Sequence, residues 1–117
     1  MPYVDGFVLV VPKKNVPAYG RMALQAGKIW KEHGALEFRE CAGDDLQAKM
    51  GFPRLTRLKR GETVFFSWIV YKSRAARDRI NAKVMKDPRL KKMMDTKVMP
   101  FDPKRMVYGG FKTLVDL

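Results

Sequence analysis

The two strongest strand runs in this 117-residue chain are apolar on both faces, so a sheet built from them needs cover on both sides. In Tyr3 to Val11, one parity holds Tyr3, Phe7, Leu9 and Val11, and the other holds Val4, Val8 and Val10. In Glu62 to Tyr71 (ETVFFSWIVY), Phe65 and Ile69 oppose Val64, Phe66, Trp68 and Val70. The helices of so short a chain lie over one face only. A second copy of the chain is the economical cover for the other, which predicts a homodimer.

The remaining elements follow from period and punctuation. The first strand closes at Pro12, which has no ladder donor. Asn15 is positioned to cap a helix whose apolar residues Val16, Tyr19, Met22, Ala23, Ala26, Ile29 and Trp30 keep helical spacing as far as His33, and Gly34 supplies the left-handed stop. Ala35 to Ala42 alternates as a second strand, and residues 43–61 read as a long irregular connection with at most a short helical turn, the part expected to be most mobile. Ser73 caps a second helix carrying Ala76, Ile80 and Val84, which ends near Lys86 because Asp87 precedes Pro88. Pro88 opens a short further helix through Met94, and Met106 to Val115 reads as the fourth strand. The order β-α-β, connection, β-α-β predicts an α+β fold: one ferredoxin-like split β-α-β domain over residues 1–117, with an antiparallel four-stranded sheet that packs sheet to sheet in a dimeric α/β barrel.

Composition excludes several classes. With 46% hydrophobic and 31% charged residues the chain is globular rather than disordered or fibrous. No run approaches the ~18–20 apolar residues of a membrane helix, and MPYVDG lacks the basic and apolar regions of a signal peptide, so a cytoplasmic protein without a membrane partner is expected. One Cys (Cys41) and one His (His33) allow neither an intrachain disulfide nor a cysteine-built metal site, and neither metal nor cofactor is expected. The net charge of +12 is unevenly spread: residues 1–53 hold 7 basic and 6 acidic residues, net +1, and residues 54–117 hold 17 and 6, net +11. Such a field attracts phosphates or acidic partners, although basic runs of this kind also serve as solvated faces.

The segment Pro100 to Phe111 (PFDPKRMVYGGF) mixes features that packing alone does not require: an Asp between Phe and Pro, a Lys-Arg pair, and Gly-Gly inside a β-like run. Together with YVDGFV at Tyr3 to Val8, GAL followed by Glu40-Cys41, ETV and SW between Glu62 and Trp68, SRAARD at Ser73 to Asp78 and DPR at Asp87 to Arg89, it makes the chain resemble the YbaA-like family of bacterial proteins of unknown function, in the dimeric α/β-barrel superfamily. The resemblance spans nearly the whole chain. It implies two ferredoxin-like subunits packed sheet against sheet and brings no established activity, while superfamily relatives oxidise or isomerise aromatic and polyketide-like compounds. The sequence departs from the family's look at Lys72, where Pro is expected, at Pro103, where Gly is expected, and in the basic cluster Arg54 to Arg60.

Strand parity suggests where a pocket lies. The set Tyr3, Asp5, Phe7; Leu36, Phe38, Glu40; Phe65, Ser67, Ile69; and Met106, Tyr108, Gly110 places Asp5, Glu40 and Ser67 among apolar neighbours, and we assign it to the dimer-facing surface. Gly6, Val8 and Val10, being smaller, then face the helices, and Trp68 is expected to pack under one of them. Asp5 and Glu40 are candidates for general base and acid, since a half-buried carboxyl titrates nearer neutral pH; the structural alternative is pairing with Arg105 or Lys104. His33 is a candidate proton shuttle or a stabilising charge at a helix C-terminus. Arg105, Tyr108, Gly110 and Ser67 are candidate substrate contacts, with Arg105 as a bidentate anion clamp or an intersubunit salt bridge. Gly109-Gly110 permits close approach of a ligand or curves the sheet. Cys41 reads as a buried small hydrophobe, and Ser73 to Asp78 as an exposed helix turn.

These features support a homodimer that binds a small molecule or acts as a cofactor-independent enzyme. The alternatives are a non-catalytic regulatory or structural dimer, or a basic nucleic-acid-binding protein; the last is weakened because the interleaved aromatics lie in the strongest core strand and no RRM-type motif is present.

Overall fold

The computed structural model describes residues 1–94 and 99–117. Two long antiparallel strands, β1 (Tyr3–Pro12) and β3 (Glu62–Tyr71), pair along their whole length, from Tyr3 opposite Tyr71 to Pro12 opposite Glu62. The shorter β2 (Glu37–Ala42) and β4 (Val107–Lys112) flank them, in the order β2-β3-β1-β4 with every pair antiparallel. Helices α1 (Val16–Glu32) and α3 (Arg74–Lys86) are the two crossovers, α2 (Phe52–Thr56) lies in the long connection, and α4 (Pro88–Met94) follows α3. This is the split β-α-β arrangement expected.

The core lies between the helices and one sheet face. Ile29, Ile69, Tyr71, Ala76, Ile80, Val84 and Leu90 form one cluster, and Leu9, Val11, Tyr19, Ala23 and Phe65 form the other. Each fully buried aliphatic or aromatic side chain here contributes about 1.5–3 kcal/mol. The covered parity is therefore Tyr3, Asp5, Leu9, Val11 with Phe65, Ser67, Ile69 and Tyr71, all buried. This reverses the expected orientation. The set assigned to the dimer-facing surface faces the helices, and Val4, Gly6, Val8, Phe66, Trp68 and Val70 form the open face. Trp68 packs under no helix; its Nε1 donates to Glu37 Oε1 at 2.9 Å from the open side.

Element ends moved for local reasons. Asn15 is the N-cap residue of α1 as expected, but its side chain makes no capping bond: residues 13–15 form a 3-10 turn, and Asn15 Nδ2 donates to the Pro100 carbonyl at 3.1 Å. Gly34, at φ +118, stops α1 as expected, but Ala35 N–H returns to Trp30 O, so Ala35 belongs to the helix cap and β2 starts at Glu37. Ser73 accepts from Ala76 N–H at 3.1 Å and caps α3. The fourth strand ends at Lys112 rather than Val115. Its partner β1 begins at Tyr3, and beyond it Thr113 bonds only to the carbonyl of Pro2, which has no N–H to offer. Met106 closes the 3-10 turn Pro103–Arg105 instead of opening the strand. Among the described residues no helix is long and apolar enough to cross a membrane.

Candidate functional site

Cross-strand register orders the open face into rows. One runs Cys41, Phe66, Val8, Val107, the next Arg39, Trp68, Gly6, Gly109, and the third Glu37, Val70, Val4, Phe111. Two glycines thus lie side by side in the middle row. The Phe111 ring leans over both, its Cε1 3.4 Å from where a Gly6 Cβ would stand and 3.7 Å from that of Gly109. Missing side chains at the centre and large ones around it make a concavity of about 780 Å³, within the range of small-molecule sites. Phe66, Val107 and Phe111 are 46%, 58% and 60% exposed along it. At one end Phe52 of α2 reaches Phe66, with ring centroids 5.8 Å apart, and Phe66 in turn meets Trp68 at 5.7 Å. Cys41 sits in the outer row and is only partly buried, not enclosed as expected.

The helix side holds the titratable candidates. Glu40, Ser67, Phe7 and Tyr108 form one row, and Phe38, Ile69, Asp5 and Gly110 the next. Glu40 and Ser67 meet: the Ser67 hydroxyl donates to Glu40 Oε1, and Tyr19 of α1 donates to the same carboxylate at 2.9 Å. Among the described residues no cation pairs with Glu40. Burial raises its pKa, opposed by the two hydroxyl donors, and burial likewise pushes the Tyr19 hydroxyl up.

Asp5 belongs to a separate group. Arg77 Nε stands 3.4 Å from Asp5 Oδ1, outside hydrogen-bond geometry, and its guanidinium lies 4.9 Å over the Tyr3 ring while Nη2 donates to the Tyr3 hydroxyl at 3.0 Å. Tyr71 and Asn81 lie within hydrogen-bond reach of the Asp5 carboxylate, and Asn81 Oδ1 accepts from Trp30 Nε1 at 3.1 Å. Burial raises the Asp5 pKa, with Arg77 opposing. Asp5 and Glu40 are two strands and two residues apart, about 12 Å between Cα atoms, so they do not converge on one reacting atom. Gly110 faces Asp5 across the sheet because a Cβ there would collide with the Tyr3 hydroxyl and Arg77 Nη2.

Neither Arg105 nor Lys104 is the partner of Asp5 or Glu40. Arg105 donates to Glu62 Oε2 at 2.6 Å and to the carbonyls of Thr56 and Arg57 at 3.1 Å, an ion pair within one subunit that ties the long connection to β3 and the entrance of β4. His33 is the C-cap residue of α1, with Nε2 3.0 Å from Asp87 Oδ2; hydrogen bonds from Arg89 and His33 hold the Asp87 carboxyl well below its ordinary range. Tyr108 stacks on Phe7 at 5.9 Å and is 72% exposed, on the helix side where no helix reaches it. Among the described residues no three His, Cys, Asp or Glu side chains gather as a metal requires.

Tyr19, Arg77 and the Gly6–Gly109 pair escaped sequence reasoning. The signal for Arg77 was its i,i+4 spacing to Asn81 on the shoulder of the Ala76, Ile80, Val84 stripe, so the Ser73 to Asp78 turn is not wholly exposed. Nothing in a single sequence marks Gly6 and Gly109 as neighbours.

Residues 2–103 match the family described as "Protein of unknown function (DUF1428)". The uncharacterised protein YbaA of Escherichia coli K12 is 45% identical over 99% of both chains, as is that of Shigella flexneri. Rv0793 of Mycobacterium tuberculosis superposes with a TM-score of 0.57 over 99% of this chain and 98% of its own, at 14% identity. A nipsnap family protein with unknown function from Agrobacterium tumefaciens gives 0.59 over 96% and 87%, also at 14%. At that identity the structural likenesses speak for the fold alone.

Proposed function

The chain belongs to the DUF1428 family of unknown function, and from that premise we propose that it is a homodimer whose two open sheet faces enclose an apolar chamber for a small, largely apolar molecule. One observation carries this reading: a concavity of about 780 Å³ with a floor of paired glycines and walls of exposed Val and Phe. The flat area of such a sheet is about 550 Å² per subunit before side-chain relief is counted, and a standard interface takes about 800 Å² per partner. The α2 rim, where Phe52 meets Phe66, extends the face at one end. Valines rather than cations stand among its aromatics, and Arg39, in the same row as Trp68, is held by Glu37 at 3.0 Å, which favours an apolar occupant over a nucleic acid.

The test is the oligomeric state by light scattering after gel filtration, with binding of the neutral dye phenylnaphthylamine measured on the same samples. We expect a dimer that binds the dye, and a folded monomer from Phe66→Asp, because a carboxylate buried within the interface has no partner. A monomeric wild type, or a Phe66→Asp variant that stays dimeric, would sink the dimer.

A further inference from the structure

A second hollow adjoins the open face and differs from it in charge. It measures about 510 Å³ and lies between the long connection and the entrance of β4, where Arg57, Lys59, Lys104 and Arg105 gather around Leu55 and Thr56. Val107 lines both hollows, so the two adjoin along this side chain. The carboxylates nearby are Glu62 and Asp102. Glu62 is engaged by Arg105 and by the Lys59 N–H, and Asp102 accepts from the Lys104 N–H. Arg105 is thereby a fixed wall. The side chains of Arg57, Lys59 and Lys104 enter no ion pair among the described residues.

Arg57 adds an independent observation. It is the only non-glycine described residue with positive φ, at φ 53 and ψ 49, in the left-handed region. That conformation strains the backbone of any residue with a side chain and not that of glycine. A turn alone would be better served by glycine; a cation held here at a cost fits a site that uses the charge.

We propose that this cationic hollow is the head-group subsite of the chamber, so that the ligand is an anionic amphiphile: an apolar, ring-containing body on the Gly6–Gly109 floor and a carboxylate or phosphate at Arg57, Lys59 and Lys104. The distances agree. Val107 and Gly109 point to the same face two residues apart on β4, about 7 Å, the length of a small fused ring system. The open face supplies apolar contact and little charge, while the adjoining hollow supplies three cations without carboxylate partners. A ligand spanning both is oriented along β4, head towards the Lys104-Arg105 turn. The proposal rests on the chamber reading above.

The experiment compares two dyes with nearly the same rings: anilinonaphthalene sulfonate, which carries an anion, and neutral phenylnaphthylamine. The readout is the ratio of their affinities, by fluorescence titration of the whole protein at low salt. One charge-assisted contact predicts that wild type prefers the anionic dye by about tenfold or more. Added salt shrinks that preference, and both Arg57→Gly and the double variant Lys59→Ala with Lys104→Ala bring the ratio towards unity. Arg57→Gly removes the cation from a backbone position that glycine occupies without strain, so loss of folding does not confuse the result. Equal affinities in wild type, or a preference that survives both variants, overturns the head-group subsite and leaves the chamber standing. Binding of neither dye overturns the chamber and the subsite together.

Discussion

At the scale of single residues, the buried carboxyls are the features with measurable consequences. Glu40 is held by two hydroxyls, those of Ser67 and Tyr19, and by no cation among the described residues, so burial raises its pKa above the ordinary 4.5. The folded state then holds the proton more tightly than the unfolded chain. The stability that Glu40 contributes is fully present below 4.5 and is lost as pH rises from there through the folded value, because the folded state binds more protons across that interval. Asp5 contributes in the same direction from its ordinary 3.8. With wild type measured in parallel, the urea-unfolding stability of Glu40→Gln should therefore fall less than that of wild type as pH rises from 4.5. A variant whose stability declines as steeply as wild type would show that Glu40 is not desolvated as described. Parity told which residues share a face with Glu40, and it brought Ser67 to it correctly. It did not supply Tyr19, twenty-one positions away on a helix, because a contact between a helix and a sheet has no period in sequence.

Elements packed against each other explain why two glycines on one helix behave oppositely. Both Gly20 and Gly27 lie in α1, and either replaced by Ala gains helix propensity of about 1 kcal/mol. A Cβ at Gly20 meets nothing within contact range, whereas one at Gly27 would stand 2.7 Å from Phe38 Cδ1 on β2. Gly20→Ala should stabilise by about 0.5–1 kcal/mol. Gly27→Ala should lose stability on balance, since overpacking costs about 1–3 kcal/mol. Chemical denaturation of the two variants side by side measures the difference, and equal effects would mean that α1 does not sit as tightly on β2 as its buried face implies. Element types were legible from the sequence, and β3 matches its expected span Glu62 to Tyr71. The ends of β2 and β4 were not, because Ala35 is taken by the cap of α1 and Thr113 runs out of partner at Pro2.

Across the whole molecule, charge works against compactness. The net +12 is concentrated after residue 53, and only some of its cations, such as Arg77, Arg89 and Arg105, are tied in ion pairs. Self-repulsion of this kind destabilises the folded state and is screened by salt. Melting temperature should rise as sodium chloride goes from about 0.01 M to about 0.2 M, where the screening length shortens past the spacing of surface charges; a flat or falling response would mean that paired charges dominate instead. The sequence alone determined that β1 and β3 are apolar on both faces, that the topology is a split β-α-β, and that one face is left for another cover. It did not determine which face. Alternation sorts residues into two sets with equal claim to the helices, and only tertiary structure decided between them. Asp5, Glu40 and Ser67 went under the helices, where Arg77, Asn81 and Tyr19 meet their polar groups, and Gly6 and Gly109 were left to make a hollow in the open face. Partners that satisfy buried polar groups come from elements distant in the chain, so the choice of face is a property of the folded molecule.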